Sequence, residues 1–265
     1  MKPMGPIPSG YSADAKGSLL IGGRAADELV AEAGGTPLFV YDTGLIGRQI
    51  DLFRAVMPAE VALHYAVKAN PYSPFLSWIA DKVDGFDVAS AGELGRVAHL
   101  GLPISFAGPG KSDQQLETAI RAGVTINLES EGEAERALSI ASGMSHPPKL
   151  AVRVNPPFAL KGAGMKMGGF ASQFGVDHDR APALIKRLIA AGADWRGLHI
   201  FTGSQALDAE ALIETQTATV ALAAEIAGEV DASPPEVDFE RRRPKQAFTR
   251  KPSSGASGMR ASITI

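Results

Sequence analysis

From Val61 to Phe239 the chain repeats one unit about every twenty residues: a short apolar run, a turn, then a stretch with helical periodicity. Apolar runs spaced in this way cannot be joined as hairpins. Each must reach the next by a crossover, and crossovers join parallel strands. The first run, Val61-Ala62-Leu63-His64-Tyr65-Ala66-Val67-Lys68, has little polar alternation, as expected of a strand covered on both faces, and Asn70-Pro71 stops it. Strands are then predicted at 85–90, 104–107, 125–128, 150–154, 197–201 and 236–239, making seven from Val61 onward. Another is predicted at Leu38-Phe39-Val40-Tyr41.

The intervening stretches carry helix signals. Pro74 suits a first helical turn. Ser112 with Gln115, and Ser130 with Glu133, have capping-box spacing, opening helices that end at Gly123 and near Ala141. Further helices are predicted at 25–33, 93–100, 181–191 and 207–229, with Ile46, Ile50, Phe53 and Met57 at helical spacing before the first barrel strand. Residues 162–175, rich in Gly and Met, form an irregular stretch of the kind that often has a function. A closed (β/α)8 barrel needs eight strands. With seven counted, the expected fold is α/β, an incomplete (β/α)8 barrel with two exposed parallel edges.

Composition narrows the function classes. Apolar residues are 45% and charged residues 21%, as in ordinary globular proteins. No apolar run of membrane-spanning length occurs, and Met1–Gly10 lacks the apolar core of a secretory signal. Without cysteine there is no thiolate metal site, disulfide or cysteine nucleophile, in keeping with a cytoplasmic protein; no metal site is expected. Seven of the 26 Lys and Arg lie in 241–265, and none of the 29 Asp and Glu does, so residues 1–240 carry a net charge of −10 and give no reason to expect nucleic-acid binding.

Strand parity brings out a constellation. Successive strand residues face opposite ways. His64, Ala66 and Lys68 share one face; Asp87 lies opposite Phe86 and Val88; Arg153 and Asn155 lie opposite Val152 and Val154; His199 and Phe201 lie opposite Leu198 and Ile200. Four strands thus place polar or aromatic groups near their C-terminal ends, where barrels of this type build active sites. Lys68 itself has two readings. It is a strand-end lysine reaching solvent, or an amine whose burial lowers its pKa for Schiff-base chemistry.

Taken together, Tyr65-Ala-Val-Lys-Ala-Asn70, Gly85-Phe-Asp-Val-Ala-Ser-Ala-Gly-Glu93, Arg153-Val-Asn-Pro156, Gln173-Phe-Gly175 and His199-Ile-Phe-Thr-Gly-Ser-Gln205 resemble the fold-type III pyridoxal-phosphate decarboxylases. These include the ornithine, arginine and diaminopimelate decarboxylases. The likeness is strongest to the diaminopimelate-decarboxylase-like branch, particularly its exosortase-associated members, and runs from about residue 15 to Phe239. It implies an alanine-racemase-like barrel, pyridoxal 5'-phosphate as cofactor, a small amino-acid substrate and a homodimeric full-length relative. Lys68 matches the Schiff-base lysine; Asp87, Arg153, His199 and Ser204 match residues around the cofactor, Ser204 at its phosphate. Phe201 stands where relatives commonly have a second histidine stacked on the cofactor ring. An aromatic ring still stacks but donates no hydrogen bond.

The likeness stops after Val237-Asp238-Phe239. Where relatives continue with phosphate-binding glycines, this chain has Glu240-Arg241-Arg242-Arg243, and no Glu-Pro-Gly-Arg segment or Cys motif follows. The resulting expectation is a leader over 1–36 that in relatives contributes to a C-terminal β-domain, a barrel over 37–239, and a basic tail over 240–265. The tail reads as a frameshift or misjoined frame, or else as the tail of a genuine short paralogue. With the β-domain missing, the three functional alternatives are a truncated decarboxylase, a cofactor-binding barrel that decarboxylates nothing, and an inactive fragment.

Overall fold

The computed structural model describes residues 10–159, 165–166, 169, 172–204, 208–232, 234–240 and 260–264, in two compact units, Met1–Met57 and Pro58–Ile265. In the first unit, Ser12–Ala13, Leu19–Ile21 and Arg24–Ala25 form a small antiparallel sheet. Helix Ala26–Ala33 ends at Gly34, and helix Thr43–Val56 is capped by Asp42, whose side chain accepts from the Leu45 N–H at 3.0 Å. The strand expected at 38–41 does not form, and Phe39 is 84% exposed. An apolar run becomes a strand only with a neighbour to take its backbone hydrogen bonds.

The second unit is a closed parallel barrel of eight strands: β1 Val61–Ala66, β2 Gly85–Val88, β3 Ile104–Phe106, β4 Thr125–Leu128, β5 Lys149–Asn155, β6 Asp194–Ile200, β7 Glu236–Glu240 and β8 Arg260–Thr264. Each strand pairs with the next, and β8 pairs with β1. The fold class is the expected (β/α)8 barrel, but its expected incompleteness is corrected. Residues 260–264 lie in parallel between β7 and β1, with Ile263 beside both Phe239 and Leu63, so no gap separates those two edges. Helices Ser73–Ala80, Ala91–Val97, Asp113–Arg121, Glu131–Ala141, Ala181–Ala190 and Ala209–Val230 follow β1 to β6.

The structure settles which strand face is inward. Tyr65 meets Phe75 of the following helix edge-on at 5.5 Å between ring centres, so Tyr65 points out to the helices and His64 and Ala66 point in. Leu63, Phe86, Val88, Ile126, Leu128, Leu150, Val152 and Val237 share the outward parity and are fully buried. They form the core between sheet and helices, each contributing about 1.5–3 kcal/mol relative to exposure. Gly197 belongs to a bulge in β6, where a Cβ would collide with the Glu236 carbonyl of β7; only glycine allows the two strands this approach.

Candidate active site

β1 ends at Ala66, two residues short of the lysine, and Val67–Ala69 form one 3₁₀ turn. The Asn70 side chain then accepts from the Tyr72 N–H at 3.1 Å, fixing the turn into the next helix. Lys68 leaves the barrel on this turn with its side chain 33% exposed, and its Nζ lies 3.9 Å from Oδ2 of the buried Asp87. The buried-amine reading is thereby corrected. Lys68 is an accessible amine at the mouth, close enough to a carboxylate for charge attraction but beyond hydrogen-bond length.

Across the mouth, Arg153 is held differently. It is buried on β5, and its Nη1 donates to Glu129 Oε1 at 3.0 Å. Its guanidinium carbon lies 5.0 Å from the Phe174 ring centre and 5.8 Å from that of Phe201, so aromatic faces flank the cation. This is how Gln173-Phe174-Gly175 reaches the site. Gly175 has φ 80°, and a Cβ there would crowd the Arg153 carbonyl oxygen at 3.0 Å.

Inside the barrel the parity argument extends from four strands to all eight. In register, Arg153, His199, Asp238 and Ser262 lie side by side across β5, β6, β7 and β8, all buried. On the opposite arc Asp87 lies beside Ser105, and Asn127 donates to the Ser105 hydroxyl at 2.7 Å. His64 completes the set. Its ring fills the space in front of Gly85, where a Cβ would lie 2.6 Å from Nε2. Burial pushes the His64 imidazole below its ordinary pKa, against the opposing pull of Glu236 and Asp84. The same inward parity picks out Ser105, Asn127, Asp238 and Ser262, which the pattern of charged and aromatic strand ends passes over.

The residues expected at the site are thus partly gathered. Lys68 and Asp87 form one contact, Arg153 and Phe201 another, and His199 sits in the same rung as Arg153. The Gly203–Ser204 backbone pairs antiparallel with Met165–Lys166, while the Ser204 side chain lies outside the described residues.

The sequence does not point to Lys111, Glu129 and Glu133. Ser112 and Gln115 make the full expected capping box, but the second box is only half made. Ser130 accepts from the Glu133 N–H, while the Glu133 carboxylate turns inward to Lys111 and the Glu129 N–H. Among the described residues no group of three or more His, Cys, Asp or Glu is placed to hold a metal ion, and no helix is long and apolar enough to cross a membrane.

Residues 43–232, well over half of the chain, match the family model described as pyridoxal-dependent decarboxylase, pyridoxal binding domain. Over 192 residues the chain is 30% identical to L-glutamyl-[BtrI acyl-carrier protein] decarboxylase of Niallia circulans, covering 71% of this chain and 45% of that protein. Over 208 residues it is 32% identical to diaminopimelate decarboxylase of Aquifex aeolicus, covering 72% and 47%. Among solved structures, diaminopimelate decarboxylase from M. jannaschii in co-complex with L-lysine superposes with a TM-score of 0.75 at 25% identity, over 87% of this chain and 56% of that one. The chain spans about half the length of the curated relatives it matches.

Proposed function

This chain belongs to the pyridoxal-dependent decarboxylases through their pyridoxal-binding domain, and from that premise we propose that it binds pyridoxal 5'-phosphate at Lys68 and serves the decarboxylation of a small amino acid of the diaminopimelate type. The observation that carries this reading is the accessible Lys68 amine 3.9 Å from buried Asp87 at the barrel mouth. A lysine meant only for solubility would not sit over a buried carboxylate.

The residues present fit the cofactor's aldehyde and ring. Lys68 would hold the aldehyde, Phe201 offers a flat face for the ring, Arg153 and His199 line the floor beneath, and Ser204 is assigned to the phosphate. Bound there, the cofactor supplies an electron sink for the pair left behind when CO₂ departs. Asp87 stabilises positive charge at the Lys68 nitrogen. The opening that leaves Lys68 33% exposed also admits a substrate amine to that nitrogen. Arg153, caught between aromatic rings and Glu129, contributes a fixed positive charge that needs no reorganisation. In this reading the working form is a cytoplasmic homodimer.

The test is covalent trapping. Incubation with pyridoxal phosphate, borohydride reduction and peptide mapping are expected to place the label on Lys68 and to lose it in Lys68→Ala. Label spread over other lysines, or retained in Lys68→Ala, would overturn the assignment. A second reading, cofactor binding without decarboxylation, is favoured by Phe201 in place of a histidine. Release of labelled CO₂ from carboxyl-labelled diaminopimelate separates the two readings.

A further inference from the structure

Lys111, Glu129, Glu133 and Arg153 are 3%, 4%, 2% and 6% exposed, and all lie at the ends of β3, β4 and β5 or just beyond them. Their bonds close a circuit. Lys111 Nζ donates to the Gly108 carbonyl at 2.7 Å, the Asn127 carbonyl at 2.8 Å and Glu133 Oε1 at 2.9 Å. Glu133 Oε2 accepts from the Glu129 N–H at 2.8 Å, and Glu129 Oε1 returns to the Gly108 N–H at 2.6 Å. The same Glu129 oxygen takes the Arg153 guanidinium. Two cations and two anions balance. Burying such a set is no cheap route to stability, because apolar side chains of similar volume often serve as well. What apolar side chains cannot do is fix a guanidinium at a chosen point of the barrel mouth.

We propose that Glu129 is the positioning residue for Arg153, and that the buried Lys111–Glu133 pair anchors Glu129 in turn. The assignment of Arg153 to the cofactor is the reading given above, and the proposal rests on it for its effect but not for its geometry. An arginine side chain has many rotamers to lose, and here one carboxylate oxygen tied to backbone selects its direction. Glu133 gives up the second half of its capping box to make the anchor. Glu129 Oε2 has no hydrogen-bond partner among the described residues, so Glu129→Gln removes the charge without setting a donor against a donor.

The test is a cycle of Glu129→Gln, Arg153→Met and the double variant in the full chain, with three readouts. These are the pyridoxal phosphate dissociation constant by absorbance titration, the midpoint pH of the bound cofactor's absorbance band, and the nitrogen NMR signals of the Arg153 guanidinium without cofactor. Glu129→Gln is expected to weaken binding about tenfold, with little further loss when Arg153→Met is added. It is also expected to move the absorbance midpoint in wild-type background but not in Arg153→Met. Losses that add, or wild-type affinity in Glu129→Gln, would overturn the proposal. If the wild-type chain takes up no pyridoxal phosphate, the functional reading fails and the NMR signals decide. Restricted guanidinium rotation that becomes free in Glu129→Gln supports positioning; unchanged signals overturn it. Should Glu129→Gln not fold, Glu133→Gln is expected to act in the same direction more weakly, and its having no effect would overturn the anchor.

Discussion

The two sides of the barrel mouth hold their charges in opposite ways. Around β3, β4 and β5 the charged groups are almost wholly buried and joined by bonds of 2.6–3.0 Å. Around β1 and β2 a lysine one-third exposed faces a carboxylate at 3.9 Å. A group that must meet an incoming cofactor or substrate needs access from solvent, and a group that must only be in place gains from being locked. The contrast separates the residue proposed to react from the residues proposed to hold.

The sharpest way to break the comparison is to unlock the tight side. Lys111→Ala strands a buried Glu133 and is expected to cost about 3–5 kcal/mol in urea unfolding, whereas Lys111→Met with Glu133→Leu recovers most of that loss. If the single variant is nearly silent, the tight side is not locked. Next in size is the floor between the two sides. Gly85→Ala sets a methyl group against His64 and the Pro103 carbonyl and is expected to cost about 1–3 kcal/mol, lessened when His64→Ala is combined with it.

A smaller effect is the acid response of His64. Its folded pKa lies below the ordinary value near 6.5, so the unfolded chain takes up the proton first as pH falls. The stability that neutral His64 contributes is complete above about pH 6.5 and is lost as pH falls from there through the lowered folded value. His64→Leu is expected to flatten that part of a pH series of unfolding midpoints. The smallest stability effect belongs to the exposed lysine. Lys68→Ala is expected to change unfolding free energy by only about 0.5 kcal/mol while abolishing covalent cofactor labelling. A loss comparable with that of Lys111→Ala would erase the distinction between the two sides.

Much of this was legible in the residues. Seven strands and the helices between them follow from apolar runs and caps, because a fully covered strand must be apolar and a helix start must satisfy its own N–H groups. Parity set Asp87, Arg153 and His199 on one side and their aliphatic neighbours on the other, while only the packing of Tyr65 on Phe75 shows which side is inward. A solvent-reaching Lys68 was one of its two readings, but the turn that carries it was not legible, because the run Ala66-Val67-Lys68 reads as strand and its 3₁₀ turn has no distinct composition. Glu133 reads as a capping residue, and only the inward turn of its helix shows that its carboxylate belongs to Lys111. The strand at 260–264 escaped notice because Arg-Ala-Ser-Ile-Thr is short and follows a basic, Ser- and Gly-rich stretch.

That last strand sets a condition on how the molecule is made. Ile263 pairs with Leu63, residues separated by most of the chain, and nearly all the other barrel pairings join strands that follow one another. During synthesis β1 can recruit β2, and each strand its successor, long before β8 leaves the ribosome. Until Thr264 has emerged, the far edge of β1 stays bare, open to pairing with another nascent copy. The closing step carries the largest loop-closure entropy of the barrel and comes last.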